Sequence, residues 1–434
     1  MTRSKIMIAS TGSGRGKTTF TSAFLHLLKD RSVRAFKCGP DYIDPMFHKH
    51  VLGIESTNLD SFFCDEKLLN EVFEDNASDI NIIESAMGLY DGMGTSSDYS
   101  AYDIASHLLC PIVLLVDGHG MGYSIVAEIK GFLSLDRLGL IRGIVLNRVS
   151  DSYYPKIAPV IERETGVKVY GHLPRIKGAE LESRHLGLKS PEENDFSIKL
   201  DMICQKLSNT VDVDGIIELG KYTSSEKIKS EPKAKQNRII AVAKDEAFTF
   251  IYEENLKVLK EAGYKINYFS PLHDNCVPDN VDTIILYGGY PENYAKDLSE
   301  NKTMIESIRK ACKNGIKIIA ECGGFMYLLD SMTVADKSYQ MAGIISGNSK
   351  KTEGLVRFGY VDIVHDRNTI KGHEFHHFEA YNVAYSDEYI IRHVSTDSKY
   401  TGLVVNNNIF AGFAHLYYRS CKKMILDFLE SSQI

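Results

Sequence analysis

The chain has 434 residues, 44% hydrophobic and 25% charged, with a formal net charge of −7, the balance of an ordinary globular protein of two or three compact units. Its mild acidity excludes a general nucleic-acid partner, which needs a basic stripe to release counterions. No apolar run approaches the roughly 18 residues that cross a bilayer and no signal-peptide pattern opens the sequence, so no membrane partner is expected and a cytoplasmic location is.

The first apolar run, residues 6–9, leads into Thr11-Gly12-Ser13-Gly14-Arg15-Gly16-Lys17-Thr18-Thr19 and then a helical pattern over 20–25. Strand, glycine-rich loop and helix in this order make a cradle for nucleotide phosphates. Glycines let several N–H groups converge on one anion, the helix N-terminus adds partial positive charge, Lys17 neutralises phosphate oxygens, and Thr18 is placed to ligate Mg²⁺. Thr11 stands where the usual pattern has its first glycine. ATP or a close relative is the expected ligand.

Further β-rich runs at 35–38, 81–84, 112–117 and 143–147 alternate with helical stretches, which predicts a parallel sheet covered by helices with ligands at the carboxyl ends of the strands. Each run ends in polar residues: Lys37 and Asp41, then Glu84, then Asp117, then Asn147 with Arg148. One rim of the sheet therefore carries an anion cradle and several carboxylates.

Residues 221–237 are polar and nearly free of large apolar groups, and mark a linker between a first domain, 1–220, and a second, 238–434. A second α/β pattern follows, with strands at 239–243, 265–269, 283–286 and 316–320 and a helix near 252–262; residues 358–385 and the last forty read mostly as strands. The fold class is two-domain α/β.

The eight cysteines are scattered with no C-x-x-C pair, the pattern of free, buried thiols. Cys322 is the exception, because an apolar strand runs into Glu321-Cys322-Gly323-Gly324 and a helical pattern leaves it. A nucleophile on so tight a turn is pushed outward, and a helix N-terminus favours the thiolate. His415 is the candidate base, and Tyr287-Gly288-Gly289-Tyr290-Pro291-Glu292 ends a strand in paired glycines whose N–H groups suit a developing oxyanion. His373-Glu374-Phe375-His376-His377 fits a zinc-protease pattern that works only on a helix, whereas its flanks look extended. On a strand the outer histidines would stand ~13 Å apart, too far to share one metal.

The cysteine turn, the Gly-Gly-Tyr-Pro-Glu turn and the late histidine resemble the glutamine amidotransferase domain of the cobyrinic acid and cobyric acid synthases, and the first domain resembles the dethiobiotin synthetase type of ATPase. The similarity spans nearly the whole chain. Its most specific strings are Phe36-Lys37-Cys38-Gly39-Pro40-Asp41-Tyr42-Ile43-Asp44-Pro45, Glu84-Ser85-Ala86-Met87-Gly88-Leu89-Tyr90-Asp91-Gly92, Arg184-His185-Leu186-Gly187-Leu188, Lys244-Asp245-Glu246-Ala247-Phe248 and Gly372-His373-Glu374-Phe375-His376, which point to the a,c-diamide-forming branch.

The resemblance implies a two-site ligase. ATP converts a substrate carboxylate to an acyl phosphate, glutamine supplies ammonia, and two acetate side chains of a corrin precursor become amides. Hydrogenobyrinic acid and nickel sirohydrochlorin, other polycarboxylated tetrapyrroles, remain alternative substrates. By motif position, Gly14, Gly16, Lys17, Thr18 and Thr19 would hold the triphosphate, and Asn147 the adenine. Thr18, Asp41 and Glu84 would hold Mg²⁺; Lys37, Asp44, Asp91, Arg184 and His185 would position substrate. Cys322 and His415 would be catalytic, with Gly288, Gly289 and Gly323 around the oxyanion. Tyr417 occupies the place where most triad amidotransferases carry a glutamate, as is common in this branch, so the partner that orients His415 is not identified. A homodimer is compatible with this reading. A rival of another class is a P-loop switch ATPase with an inactive second domain; against it, Gly12 stands where such switches have a signature lysine, and Cys322 and His415 are both present.

Overall fold

In the computed structural model, residues 2–179, 193–224 and 238–431 are described. The chain divides into two compact units, Met1–Ile228 and Lys229–Ile434.

The first unit alternates strands and helices: β1 (Thr2–Ser10), α1 (Lys17–Leu27), β2 (Val33–Cys38), α2 (Ile43–Leu52), β3 (Ser56–Leu59), α3 (Glu66–Asn76), β4 (Ile80–Glu84), α4 (Ala101–Leu108), β5 (Ile112–Asp117), α5 (Ser124–Leu135), β6 (Ile141–Asn147), α6 (Tyr154–Thr165), β7 (Val169–Leu173), α7 (Glu193–Thr210), α8 (Val213–Leu219) and β8 (Lys221–Thr223). The sheet order is β3-β2-β4-β1-β5-β6-β7. These seven strands are parallel, and the central ones are unbroken apolar runs because both faces are covered. Parallel strands align their carboxyl ends, so Ser10, Cys38, Glu84, Asp117 and Asn147 finish on one rim.

Two strands lie beyond those expected. Ser56–Leu59 is too polar to stand out, and Val169–Leu173 carries Gly171 and His172; both sit at sheet edges, where apolar patterning is weakest. A third difference concerns the expected linker, whose first residues, Lys221–Thr223, form β8 and pair antiparallel with Thr2–Ser4 of β1. The first unit thus runs past residue 220, its last strand hidden by the polar composition of an exposed edge.

The second unit holds β9 (Ile239–Ala243), α9 (Glu253–Glu261), β10 (Lys265–Phe269), β11 (Thr283–Leu286), α10 (Ala295–Glu300), α11 (Lys302–Lys313), β12 (Lys317–Glu321) and α12 (Gly323–Leu328). Then come β13 (Ser331–Val334), β14 (Lys337–Gln340), β15 (Asn348–Lys351), β16 (Arg357–His365), β17 (Asn368–His376), β18 (Phe378–Tyr381), β19 (Ile390–His393), β20 (Lys399–Thr401), β21 (Leu403–Val405), β22 (Ile409–Gly412), β23 (His415–Leu416) and α13 (Lys422–Glu430). The main sheet, β10-β9-β11-β12-β22-β21, is parallel except at the β21–β22 edge. An antiparallel sheet, β20-β19-β16-β17-β23, contributes Val361, Ile363, Ile370 and Ile391 to an apolar cluster that also holds Ile285 and Ile319 of the main sheet. The opposite face of the main sheet packs on α11 and α12 through Ile284, Leu286, Ile305, Ile308 and Phe325.

The turn from β12 into α12 is as tight as expected, and glycine makes it possible. A Cβ on Gly324 would collide with the Leu286 carbonyl of β11. Gly324→Ala should therefore destabilise the protein by about 2 kcal/mol or more, read as a lower denaturant midpoint at unchanged slope; a wild-type midpoint would refute this packing.

Candidate active sites

In the first unit, Gly14 and Gly16 adopt left-handed backbone, φ +71° and +85°, and curl the loop into α1. No side chain caps α1. Its first N–H groups are therefore available to an anion, as a phosphate cradle requires. Asn147 supports the loop from below: its Nδ2 donates to the Arg15 carbonyl at 2.7 Å, and a Cβ on Gly16 would overlap it. This engages the amide expected to meet adenine.

Beside the loop, Glu84 is fully buried at the end of β4. Thr18 Oγ1 donates to its Oε1 at 2.8 Å, and Lys37 Nζ and Lys17 Nζ lie 3.3 and 3.5 Å from the same oxygen. His48 Nε2, from α2, is 3.4 Å from Oε2. Burial alone would raise this carboxyl, but Lys37, Lys17 and His48 outweigh it and hold Glu84 well below the usual range. Lys37 is correspondingly raised: burial opposes its charge, yet Glu84, Asp44 at 2.5 Å and Asp41 at 4.0 Å prevail. Lys17 is lowered by burial and by repulsion from Lys37, so its charge is the less well matched of the two.

Thr18 and Glu84 present adjacent hard oxygens of the kind Mg²⁺ takes alongside phosphate and water. Asp41 is differently employed, its Oδ1 accepting from the Ile43 and Asp44 N–H groups at the start of α2, and burial beside Asp44 raises its carboxyl. Asp91 closes its own turn by accepting from Gly88 N at 2.8 Å. On the far side of the loop, Asp117 pairs with both Arg148 and Arg15. Arg184 and His185 lie outside the described residues.

In the second unit, Cys322 sits at φ +47°, a strained conformation for a non-glycine residue. Its N–H is held by the Gly412 carbonyl at 2.8 Å. Gly323 packs against Pro291 and the Gly289 N–H, while a Cβ on Gly288 would overlap the His415 ring. The Gly288-Gly289 turn thus touches both Gly323, the residue after Cys322, and the His415 ring. Gly289 is itself pressed on the Ala247 carbonyl.

The surroundings of Cys322 work against the expected thiolate. Burial, then Glu292, Glu374 and Glu321, raise the Cys322 thiol, and the single Gly323 N–H cannot offset them. α12 is only six residues long, a short source of dipole. Burial, with His373 and His376 nearby, holds His415 well below its ordinary value. Both shifts favour the uncharged forms, thiol and imidazole.

The His373-Glu374-Phe375-His376 run lies on β17, extended as expected. His373 stacks on His415 with ring centroids 4.9 Å apart and 16° between planes, while Tyr252 OH lies 3.3 Å from its Nδ1. Burial pushes His373 down to about 3 and His376 to about 4. Glu374 pairs with Tyr400 OH at 2.5 Å and Arg357 at 3.7 Å. Among the described residues no cluster of three or more His, Cys, Asp or Glu side chains could hold a metal, and no helix is long and apolar enough to cross a membrane.

Sequence reasoning missed His48 and Glu321. A lone histidine inside a helix carries no signal, whereas Glu321 had one, a carboxylate ending an apolar strand beside a nucleophile. It is fully buried and raised to about 8 by that burial, against donors at Leu416 N and Tyr418 OH.

Comparison with known proteins places both sites in context. Residues 6–188 match the CobQ/CobB/MinD/ParA nucleotide binding domain and residues 239–422 the CobB/CobQ-like glutamine amidotransferase domain. A cobyrinate a,c-diamide synthase of Caldanaerobacter subterraneus subsp. tengcongensis is 38% identical, covering 98% of this chain and 97% of its own. Proteins of the same name from Listeria innocua (38% identical, 95% and 96% covered) and Salmonella typhimurium (37%, 98% and 98%) are similar to the same extent.

Two outcomes follow from the electrostatics. Glu84's depressed carboxyl contributes stability above its ordinary value of 4.5 that is lost as pH falls through the folded value. Thermal denaturation of Glu84→Gln should therefore show its largest deficit near neutrality, closing as pH drops below about 4.5; a pH-independent deficit would contradict the ion cluster. At neutral pH iodoacetamide should alkylate exposed Cys276 faster than buried Cys322, as peptide mass spectrometry would report; the reverse order would indicate a resting thiolate.

Proposed function

Because the chain belongs to the cobyrinate a,c-diamide synthase family, we propose that it catalyses the ATP- and glutamine-dependent amidation of the a and c carboxylates of cobyrinic acid. The observation carrying this reading is that one chain holds an uncapped glycine-loop cradle beside paired lysines and, in its other unit, a strained cysteine turn and a buried histidine that pack on the same pair of glycines, Gly288 and Gly289.

In the first unit the triphosphate takes the α1 N–H groups, and Lys17 turns from Glu84 to phosphate oxygens. Its depressed pKa reflects a charge that gains from a new anion. Thr18 and Glu84 are the residues that would hold Mg²⁺, which supplies further neutralisation of the phosphates when bound. A substrate carboxylate oxygen attacks the γ-phosphorus and ADP leaves, giving an acyl phosphate; ammonia then attacks the acyl carbon and phosphate departs. Lys37, held by Asp44 and Glu84, faces the reacting carboxylate. The sequence occurs twice, once per acetate.

In the second unit the Cys322 sulfur attacks the glutamine amide carbon. Neutral His415 is the form able to accept the thiol proton, which it passes to the departing ammonia. N–H groups at Gly289 and Gly323 receive the oxyanion, and water releases glutamate from the thioester.

Incubation with ATP, Mg²⁺ and glutamine, using cobyrinate, hydrogenobyrinate and nickel sirohydrochlorin in parallel, tests the substrate: product mass should report two amide exchanges on cobyrinate. Cys322→Ala should lose glutamine-dependent turnover by ~10³-fold or more yet keep amidation from free ammonia, while Lys17→Ala should lose both. Glutamine use by Cys322→Ala would remove the assigned nucleophile.

A further inference from the structure

We propose that Glu321 is the positioning residue of the glutaminase site, fixing His415 through the backbone of the strand that carries it rather than through its ring. The proposal rests on the assignment of Cys322 and His415 made above and supplies the orienting partner that Tyr417, at the usual glutamate position, leaves unassigned.

The strand bearing His415 is only two residues long and pairs on one side with β17, Gly372 against Leu416 and His373 against His415. The ladder is short, continued only by the Tyr417 N–H donating to the Lys371 carbonyl at 2.9 Å among the contacts described. Side chains complete it. Glu321 Oε2 accepts from Leu416 N at 3.3 Å, Asn255 Nδ2 donates to the Leu416 carbonyl at 2.8 Å, and Asn255 Oδ1 accepts from Tyr418 N at 2.9 Å. The other Glu321 oxygen accepts from Tyr418 OH at 3.3 Å.

Fixing the Leu416 N–H fixes the peptide plane that follows His415 and, together with the pairing of His415 against His373, the direction of the His415 Cα–Cβ bond. What remains is rotation of the side chain. His373 stacked on one face and Gly288, with no room for a Cβ, restrict that rotation. Because Glu321 directly precedes Cys322, one residue couples the backbone of the nucleophile turn to that of the base. The carboxyl is fully buried and hydrogen-bonded only within this arrangement among the contacts described, a costly placement for a group serving packing alone.

The test uses two substitutions of nearly equal volume in the full-length protein. Glu321→Gln keeps an acceptor for Leu416 N; Glu321→Met fills the same space with none. Glutamine hydrolysis by Glu321→Met should fall about 30- to 100-fold in kcat, with KM within about twofold, because a displaced base slows chemistry without altering substrate binding. Glu321→Gln should stay within about threefold of wild type. Both should form amide from free ammonia at the wild-type rate. Wild-type kcat in Glu321→Met overturns the proposal, as does an equal loss in both variants. If Glu321→Met does not fold, Glu321→Gln decides alone: a loss beyond about 30-fold would show that the acceptor is not what matters. Failure of the underlying assignment is separately visible, since Cys322→Ala would then still hydrolyse glutamine whatever the Glu321 variants do.

Discussion

A carboxylate without solvent contact must be surrounded by positive charge, and Glu84 imposes that condition on the whole first unit. Its charge draws Lys37 from β2, Lys17 from the head of α1 and His48 from α2 to the end of β4. Lys37 in turn requires Asp44 and Asp41, so the start of α2 is fixed as well. Removing one partner from such a cluster leaves an uncompensated buried charge, typically costing 3–5 kcal/mol. The parallel sheet makes the cluster possible, because only strands running the same way bring Lys37, Glu84 and the glycine loop to one rim.

The second unit meets the same desolvation with the opposite solution. Burial raises the Cys322 thiol and lowers the His415 imidazole, and the neighbouring Glu292 and Glu374, and His373 and His376, add to these shifts and oppose an ion pair there. In the proposed reaction, charge separation there waits for a bound amide whose oxyanion can share it. One unit concentrates paired charge at its sheet rim; the other keeps its buried cysteine and histidine away from charge.

Much of this was legible in the sequence, for identifiable reasons. The glycine loop, the Cys322 turn and the Gly288-Gly289 turn depend on local backbone geometry, which glycine spacing reports directly. The central strands, buried on both faces, were visible as apolar runs. Two strands were hidden by polar composition: Ser56-Thr57-Asn58 are small polar residues although Ser56–Leu59 is largely buried, and Lys221–Thr223 is mostly exposed. Side-chain partnerships across the fold left no periodic trace: His48 reaching Glu84, Asn147 bracing Arg15 and Asp91 closing on Gly88 emerge only when separate segments meet. The direction of the Cys322 shift was hidden for a related reason, since the local helix suggested a low pKa whereas burial, with Glu292 and Glu374 from elsewhere in the chain, raises it.

The pairing of Thr2–Ser4 with Lys221–Thr223 also bears on how the first unit comes into being. Its opening strand lies at the centre of the sheet, between β4 and β5, and one stretch of its edge is completed by the last strand of the unit. A chain emerging from the ribosome would carry that edge uncovered until more than two hundred further residues had been made. Closure of the layer is therefore a late, long-range event, and the polar character of the waiting segment, Thr2-Arg3-Ser4, makes it slow to pair elsewhere.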